Sequence, residues 1–188
     1  MARVTRDDYF AAALAILGEH GPDGLSLSAL CERVGVTKGS FYHHFGSMAA
    51  LHEAMLDAWV AAVGAAGHDV PADASGRLTA LRQLAVTANH ETEVAIRAWA
   101  AWYEPAADAV RRVRHQRRDL LTGTFVELGI DEAHAVTLAR VGTTLMAGVQ
   151  SDIDKIDRTL LDEVLSEYQH WIEASLPPPV RRRRADDG

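Results

Sequence analysis

Only one cysteine, Cys31, and two lysines, Lys38 and Lys155, occur in this chain of 188 residues. A lone cysteine excludes an intrachain disulfide and a multi-cysteine zinc site, and reads as a small buried apolar residue. Charges break every apolar stretch well short of the roughly 20 residues a membrane span requires, so no membrane association is expected. The opening residues, MARVTRDDYF, lack the basic-then-apolar layout of a secretion signal, and the expected location is the cytoplasm. No run combines period-two alternation with β-branched or aromatic enrichment, and no internal repeat is found, which points to an all-α chain. An excess of positive charge is missing too. The formal net charge is −7, which argues against a generic polyanion binder, so any nucleic-acid contact needs its positive charge locally placed.

What is present is globular: 48% of residues are hydrophobic and 24% charged. Residues 5–20 read as a helix with Phe10, Ala13, Leu14 and Leu17 on one face, Thr5 and Asp8 forming a capping pair, and Gly21-Pro22 as the stop. A short second helix follows Ser26 as N-cap. The turn Gly35-Val36-Thr37 leads into a third helix, capped by Thr37, with Phe41 and Phe45 on its inner face. Ser47 opens a longer fourth helix with Leu51, Met55, Ala58 and Ala62 inward, and the glycines and proline of residues 64–76 suggest a loop. Further helices are expected at about 77–90, 92–104, 106–128, 131–151 and 158–176, with Pro105 near a helix start. The triple proline from Pro177 ends the folded part and leaves residues 177–188 as a disordered basic tail.

Two short helices around a glycine-containing three-residue turn form a helix-turn-helix, whose second helix enters the DNA major groove by its N-terminal end. The stretch TKGSFYHHF suits that task. Gly39 lets the backbone approach closely, Thr37 and Ser40 offer small hydroxyls, and Lys38 can donate to a guanine edge or a phosphate. Tyr42 and His43 are placed to bond phosphate oxygens. His43 and His44 do not converge as metal ligands, because neighbouring side chains on a helix point about 100° apart. Residues 1–47 carry Arg3, Arg6, Arg33 and Lys38 against Asp7, Asp8, Glu19, Asp23 and Glu32, so affinity has to rest on hydrogen bonds more than on bulk charge.

The segment LSLSALCERVGVTKGSFYHHFGSMAAL resembles the DNA-binding region of TetR-family transcriptional regulators, with glycine-valine before the recognition helix and Tyr-x-x-Phe within it. The resemblance spans roughly residues 5–60 by motif, and beyond that rests on length and on about nine helices. It implies a homodimeric, ligand-responsive regulator, most often a repressor, and no enzyme or cofactor. It also implies double-stranded operator DNA and a small-molecule effector as partners. Thr37, Lys38, Gly39, Ser40, Tyr42 and His43 match its DNA-contacting positions. Met48 departs from the pattern, standing where the family carries a phosphate-touching lysine. The expected division is a DNA-binding head at 1–47 and an effector-binding and dimerisation domain at 48–176.

In that second part, Leu161, Val164, Leu165, Tyr168, Trp171 and Ile172 recur at three- and four-residue steps, and Leu138, Val141, Gly142, Leu145, Met146 and Val149 cover a broad arc. Helices apolar beyond one stripe bury two faces, which suggests a four-helix dimer interface using Leu138, Val141, Leu145, Leu161, Leu165, Tyr168 and Ile172; the alternative is that both helices are plain core. Arg117 falls at the centre of the apolar face of its helix, where it needs a partner: Glu93 or Glu104 internally, or an anionic group on an effector. His134 enters the apolar face of its own helix. Trp99, Trp102 and Tyr103 are candidate pocket walls or core. Glu167-x-x-His170 and Asp131-x-x-His134 echo the Glu-x-x-His pairs of di-iron bundles, so a helical metalloenzyme is the rival from another class, and a helical protein-interaction adaptor is a third reading.

Overall fold

The computed structural model describes residues 4–71, 73–151 and 157–176. The expected tail at 177–188 lies outside the described residues. Among the described residues there are nine α-helices: α1 (Arg6–Gly24), α2 (Leu27–Val34), α3 (Lys38–Phe45), α4 (Met48–His68), α5 (Ala74–Thr87), α6 (His90–Trp99), α7 (Glu104–Glu127), α8 (Glu132–Ser151) and α9 (Arg158–Ala174). None of them is long and apolar enough to cross a membrane.

Local chemistry sets most of the starts. Thr5 and Asp8 form a reciprocal capping box, with the Thr5 N–H donating to Asp8 Oδ2 at 2.7 Å and the Asp8 N–H to Thr5 Oγ1 at 3.4 Å. Ser26, Thr37 and Ser47 each accept the backbone N–H three residues on. Regular helix α1 breaks at Gly21, whose φ of 68° and ψ of −174° are open to glycine. Gly35, at φ 75° and ψ 38°, closes α2 with a left-handed cap and turns the chain into α3.

Three elements depart from the sequence expectation. First, the inner stripe of α1 is Tyr9, Ala13, Ile16 and Leu17, one position away from the stripe anchored on Phe10, and Phe10 and Leu14 are only half-buried. Second, α4 continues through residues 64–68. Gly64 and Gly67 do not mark a turn there; they let α7 approach. A Cβ on Gly67 would lie 2.7 Å from Leu120 Cδ2, and one on Gly64 3.3 Å from Gln116 Nε2. The inward positions of α4 are Leu51, Met55, Leu56 and Val60, while Ala62 is exposed. Third, α5 begins earlier because Asp73 caps it, accepting the Gly76 N–H at 2.7 Å, and α6 ends at Trp99. The Trp99 ring stacks on Tyr103, with centroids 4.5 Å apart and planes 12° from parallel, and Pro105 then starts α7.

Packing yields two apolar cores. One joins Tyr9, Leu17, Leu30, Phe41, Leu51, Met55, Ile96, Trp99, Ala106 and Val113, and so runs from α1 through α4 to α6 and α7. The other joins Leu78, Phe125, Ile130, Ala135, Ala139, Tyr168 and Ile172 from α5, α7, α8 and α9. Within the second, Gly142 admits the Tyr168 ring: an added Cβ would stand 2.8 Å from Cε1 and 3.0 Å from Cζ. Gly142→Ala is therefore expected to destabilise the protein by about 1–3 kcal/mol, read as a lower urea midpoint. Gly123→Ala, with nothing within 4 Å of the new methyl, should instead raise stability by up to about 1 kcal/mol through helix propensity.

Candidate nucleic-acid interface and effector cavity

The third helix presents two chemically distinct sides. Phe41 and Phe45 are buried, with ring centroids 5.6 Å apart, and they anchor the helix to its support. Thr37, Lys38, Gly39, Tyr42 and His43 are exposed on the other side, and Tyr42 is 54% accessible. Gly39 has a negative φ, and a Cβ there would meet only Thr37 Oγ1, at 3.7 Å. The fold itself therefore does not require glycine at this position. Thr37 Oγ1 accepts the Ser40 N–H, and the N–H groups of Lys38 and Gly39 at the positive end of the helix dipole have no intrahelical acceptor.

Ser40 behaves differently from its neighbours. It is half-buried, and its hydroxyl lies 3.2 Å from the Tyr9 hydroxyl. Tyr9 is the residue the sequence reading missed. Its ring is fully buried against Phe41, His44 and Phe45, at centroid distances of 6.1, 5.2 and 5.3 Å, so α1 holds α3 by both packing and a hydroxyl contact. The signal was available in the spacing of Tyr9, Ala13 and Ile16.

Charge on the head is sparse and mostly committed. Both terminal nitrogens of Arg33 donate to the Glu19 carboxylate, and this contact holds that exposed acid below its ordinary pKa. Arg6 lies over the Phe45 ring, 4.8 Å from its centroid. Lys38 has no hydrogen-bond or ion-pair partner among the described residues. Met48 is half-buried and packs against the first core, so its thioether serves the interior.

A cavity of about 450 Å³ separates the two cores, walled mainly by apolar groups including Trp59, Val63, Leu78, Leu120, Met146 and Leu165. Arg117 reaches it, and its guanidinium is already satisfied: Nη1 and Nη2 donate to Glu93 Oε1 and Oε2, each at 2.7 Å. Burial alone would push the Glu93 carboxyl up, but the Arg117 hydrogen bonds and the surrounding positive charges outweigh it and hold the group low. Of the other residues read as pocket candidates, Trp99 is buried in the first core beside His52, with centroids 4.9 Å apart, Trp102 is 67% exposed, and Tyr103 caps the start of α7. None of the three lines the cavity, whose aromatic walls are Trp59 and Tyr168. His134 is exposed in the first turn of α8, where its N–H donates to Asp131 Oδ1 at 3.2 Å, so it does not enter an apolar face.

The residues read as dimer contacts divide. Leu161, Leu165, Tyr168 and Ile172 are buried inside the single chain and offer no surface to a partner. Leu138, Val141 and Leu145 are half-buried and pack on the second core. The periodicity marked an apolar face correctly, but that face is covered internally. The outward sides carry Val136, Arg140, Thr144 and Gly148 on α8 at steps of four, and Leu160 and Trp171 on α9, Trp171 being 63% exposed. Glu167 and His170 sit 3.9 Å apart on the exposed side of α9, and among the described residues no group of three or more His, Cys, Asp or Glu side chains is placed to hold a metal. Arg111 and Arg112 pair with Glu104, Asp108 and Asp57 on a solvated face.

Comparison with known proteins gives this geometry a lineage. A family model for bacterial regulatory proteins of the tetR family matches residues 10–55, the span of the helix-turn-helix and its supports. The tetracycline repressor protein class D of Escherichia coli is 36% identical, over 100% of this chain and 84% of its own length, as is the class H protein of Photobacterium damsela subsp. piscicida. Among solved structures, a TetR transcription regulator from Haloarcula marismortui superposes with a TM-score of 0.77 at 20% identity, covering 92% of this chain and 98% of its own. A transcriptional regulator from Rhodococcus sp. Rha1 gives 0.76 at 22% identity, with the same coverage of each chain. The fold is shared with these structures, and the full-length identity to curated repressors establishes descent: the chain belongs to the TetR family of bacterial regulatory proteins, and is a DNA-binding transcriptional regulator with a ligand-binding C-terminal domain, not an enzyme.

Proposed function

We propose that the protein is a cytoplasmic homodimeric repressor whose head, residues 1–47, reads an operator through α3. Residues 48–176 would supply the effector cavity and the dimer contact. Thr37, Lys38 and the Gly39 backbone would meet the groove floor, with Tyr42 and His43 on the flanking phosphates and Ser40 holding the helix to Tyr9. The observation that carries this reading is the glycine at position 39, exposed on the outer side of a helix whose other side is fixed by two phenylalanines, where an added Cβ would meet only Thr37 Oγ1 in ordinary contact.

The dimer would be built from the outward stripes of α8 and α9, in which Gly148 leaves room for close approach and Leu160 and Trp171 supply apolar area. A small molecule in the 450 Å³ cavity would act as effector by binding more tightly to the arrangement of the two heads that cannot span an operator, since equal affinity for both states shifts nothing.

Selection from a random duplex pool should enrich a two-fold symmetric sequence; no enrichment refutes the reading. On that duplex, Tyr42→Phe should weaken binding by about 1 kcal/mol with the melting temperature unchanged. Gly39→Ala should weaken binding while leaving stability equal or up to about 1 kcal/mol higher, which separates an external need for glycine from a structural one. With Arg33 engaged by Glu19, the salt slope of log K should be clearly shallower than about −10. Trp171→Glu should yield a folded monomer in sedimentation velocity, and a persisting dimer would move the interface elsewhere.

A further inference from the structure

Beside the large cavity lies a smaller one of about 60 Å³ between α6, α7 and α8, and the two share Trp59, Glu93, Arg117, Thr143 and Met146 as walls. Its lining contains three arginines, Arg97, Arg114 and Arg117, and a single carboxylate, Glu93, so the formal charges leave an excess of two positive. Both Glu93 oxygens are taken by Arg117. Arg97, one turn beyond Glu93 on α6, is half-buried and donates only to Gln150 Oε1 among the described residues. Arg114 is exposed at the rim and has no carboxylate partner there.

Arg97 is also aimed. Buried Gln150 places its Nε2 2.8 Å from His90 Nδ1, and His90 Nε2 lies 3.3 Å from the Val86 carbonyl. A neutral imidazole that donates from Nε2 to that carbonyl accepts at Nδ1 from the amide, which turns Gln150 Oε1 toward Arg97. Such a relay fixes one edge of the guanidinium and leaves its other N–H groups available. Burial weakens the hold of Arg97 on its proton; Glu93 opposes this, and the like charges of Arg117 and Arg114 add to it. Arg97 is thus half-buried, has no carboxylate in hydrogen-bond contact, and keeps N–H groups free to meet an anion. The other arginine on the large cavity, Arg82, is paired with Asp162 and offers no such excess.

We propose that the effector is an amphipathic organic carboxylate, with its apolar body in the large cavity and its head group held by Arg97 and Arg114 in the small one. This rests on the reading of the large cavity as the effector site. It reassigns to Arg97 the anion-binding role that Arg117, neutralised by Glu93, no longer has free.

Isothermal titration calorimetry of the full chain with octanoate and with octan-1-ol tests the head-group assignment. Octanoate should bind about tenfold or more tightly than the alcohol. Arg97→Gln should abolish that preference, Arg97→Lys should keep part of it, and Arg114→Gln, at an exposed position that does not threaten folding, should reduce it about threefold. Equal or tighter binding of octan-1-ol, a preference surviving Arg97→Gln, or no binding of either compound overturns the proposal. Release of the selected duplex keeps the two readings apart. If octan-1-ol releases it as readily as octanoate, the effector cavity stands and the carboxylate assignment falls; if compounds fill the cavity and none releases the duplex, the effector reading falls.

Discussion

Helix α1 crosses α6 in close contact at Gly18 and Thr92. Gly18 faces Thr92 so closely that a methyl there would lie 3.0 Å from Thr92 Oγ1, and that hydroxyl donates to the Leu14 carbonyl at 3.1 Å. Thr92 is fixed from its own side as well, since its N–H donates to Asn89 Oδ1 at 3.1 Å. Leu14, Asn89 and Thr92 all border the large cavity, while one end of α1 carries Tyr9 against Ser40 and the phenylalanines of α3. A single rigid helix thus touches the ligand space with its middle and the recognition helix with its beginning. A displacement of α6 that keeps the Thr92 bond would carry α1 with it, and α1 bears on α3 through Tyr9. These contacts form a continuous chain from the cavity wall to the recognition helix.

The cavity persists because the two apolar cores do not merge, and the Glu93–Arg117 fork stands at that gap. Burying such a pair contributes little net stability, since desolvation of both ions offsets most of their attraction. Its effect is to make one end of an otherwise oily space polar, directional and intolerant of mismatch. The excess positive charge next to it then falls on Arg97, whose orientation is set by Gln150 and His90.

Sequence reasoning succeeded where the determining chemistry is local. Thr5, Ser26, Thr37 and Ser47 are caps because their side chains reach an N–H three residues on, and Phe41 with Phe45 mark the inner side of α3 whatever surrounds it. It failed where the answer depends on what lies opposite. Gly64 and Gly67 read as a loop because a turn and a tight helix contact both favour glycine, and only the position of α7 decides between them. Leu161, Leu165, Tyr168 and Ile172 were recognised as apolar, but periodicity does not reveal whether the same chain or a second copy covers them. The aromatic residues show the same limit: Trp59, on a helix whose length was underestimated, walls the cavity, whereas the cluster around Trp99 builds the elbow between α6 and α7. Arg117 was legible as a charge in need of a partner, and Glu93 was among the partners foreseen.

The glycine pair on α4 also sets how closely that helix can lie against α7. Gln116 and Leu120, one turn apart on α7, sit over Gly64 and Gly67, while Ala65 and Ala66 between them are exposed. A larger residue at Gly64 or Gly67 would press on α7, so the close spacing of the two helices depends on the missing side chains. The helix that leaves the recognition element is thereby held against α7 at two points one turn apart.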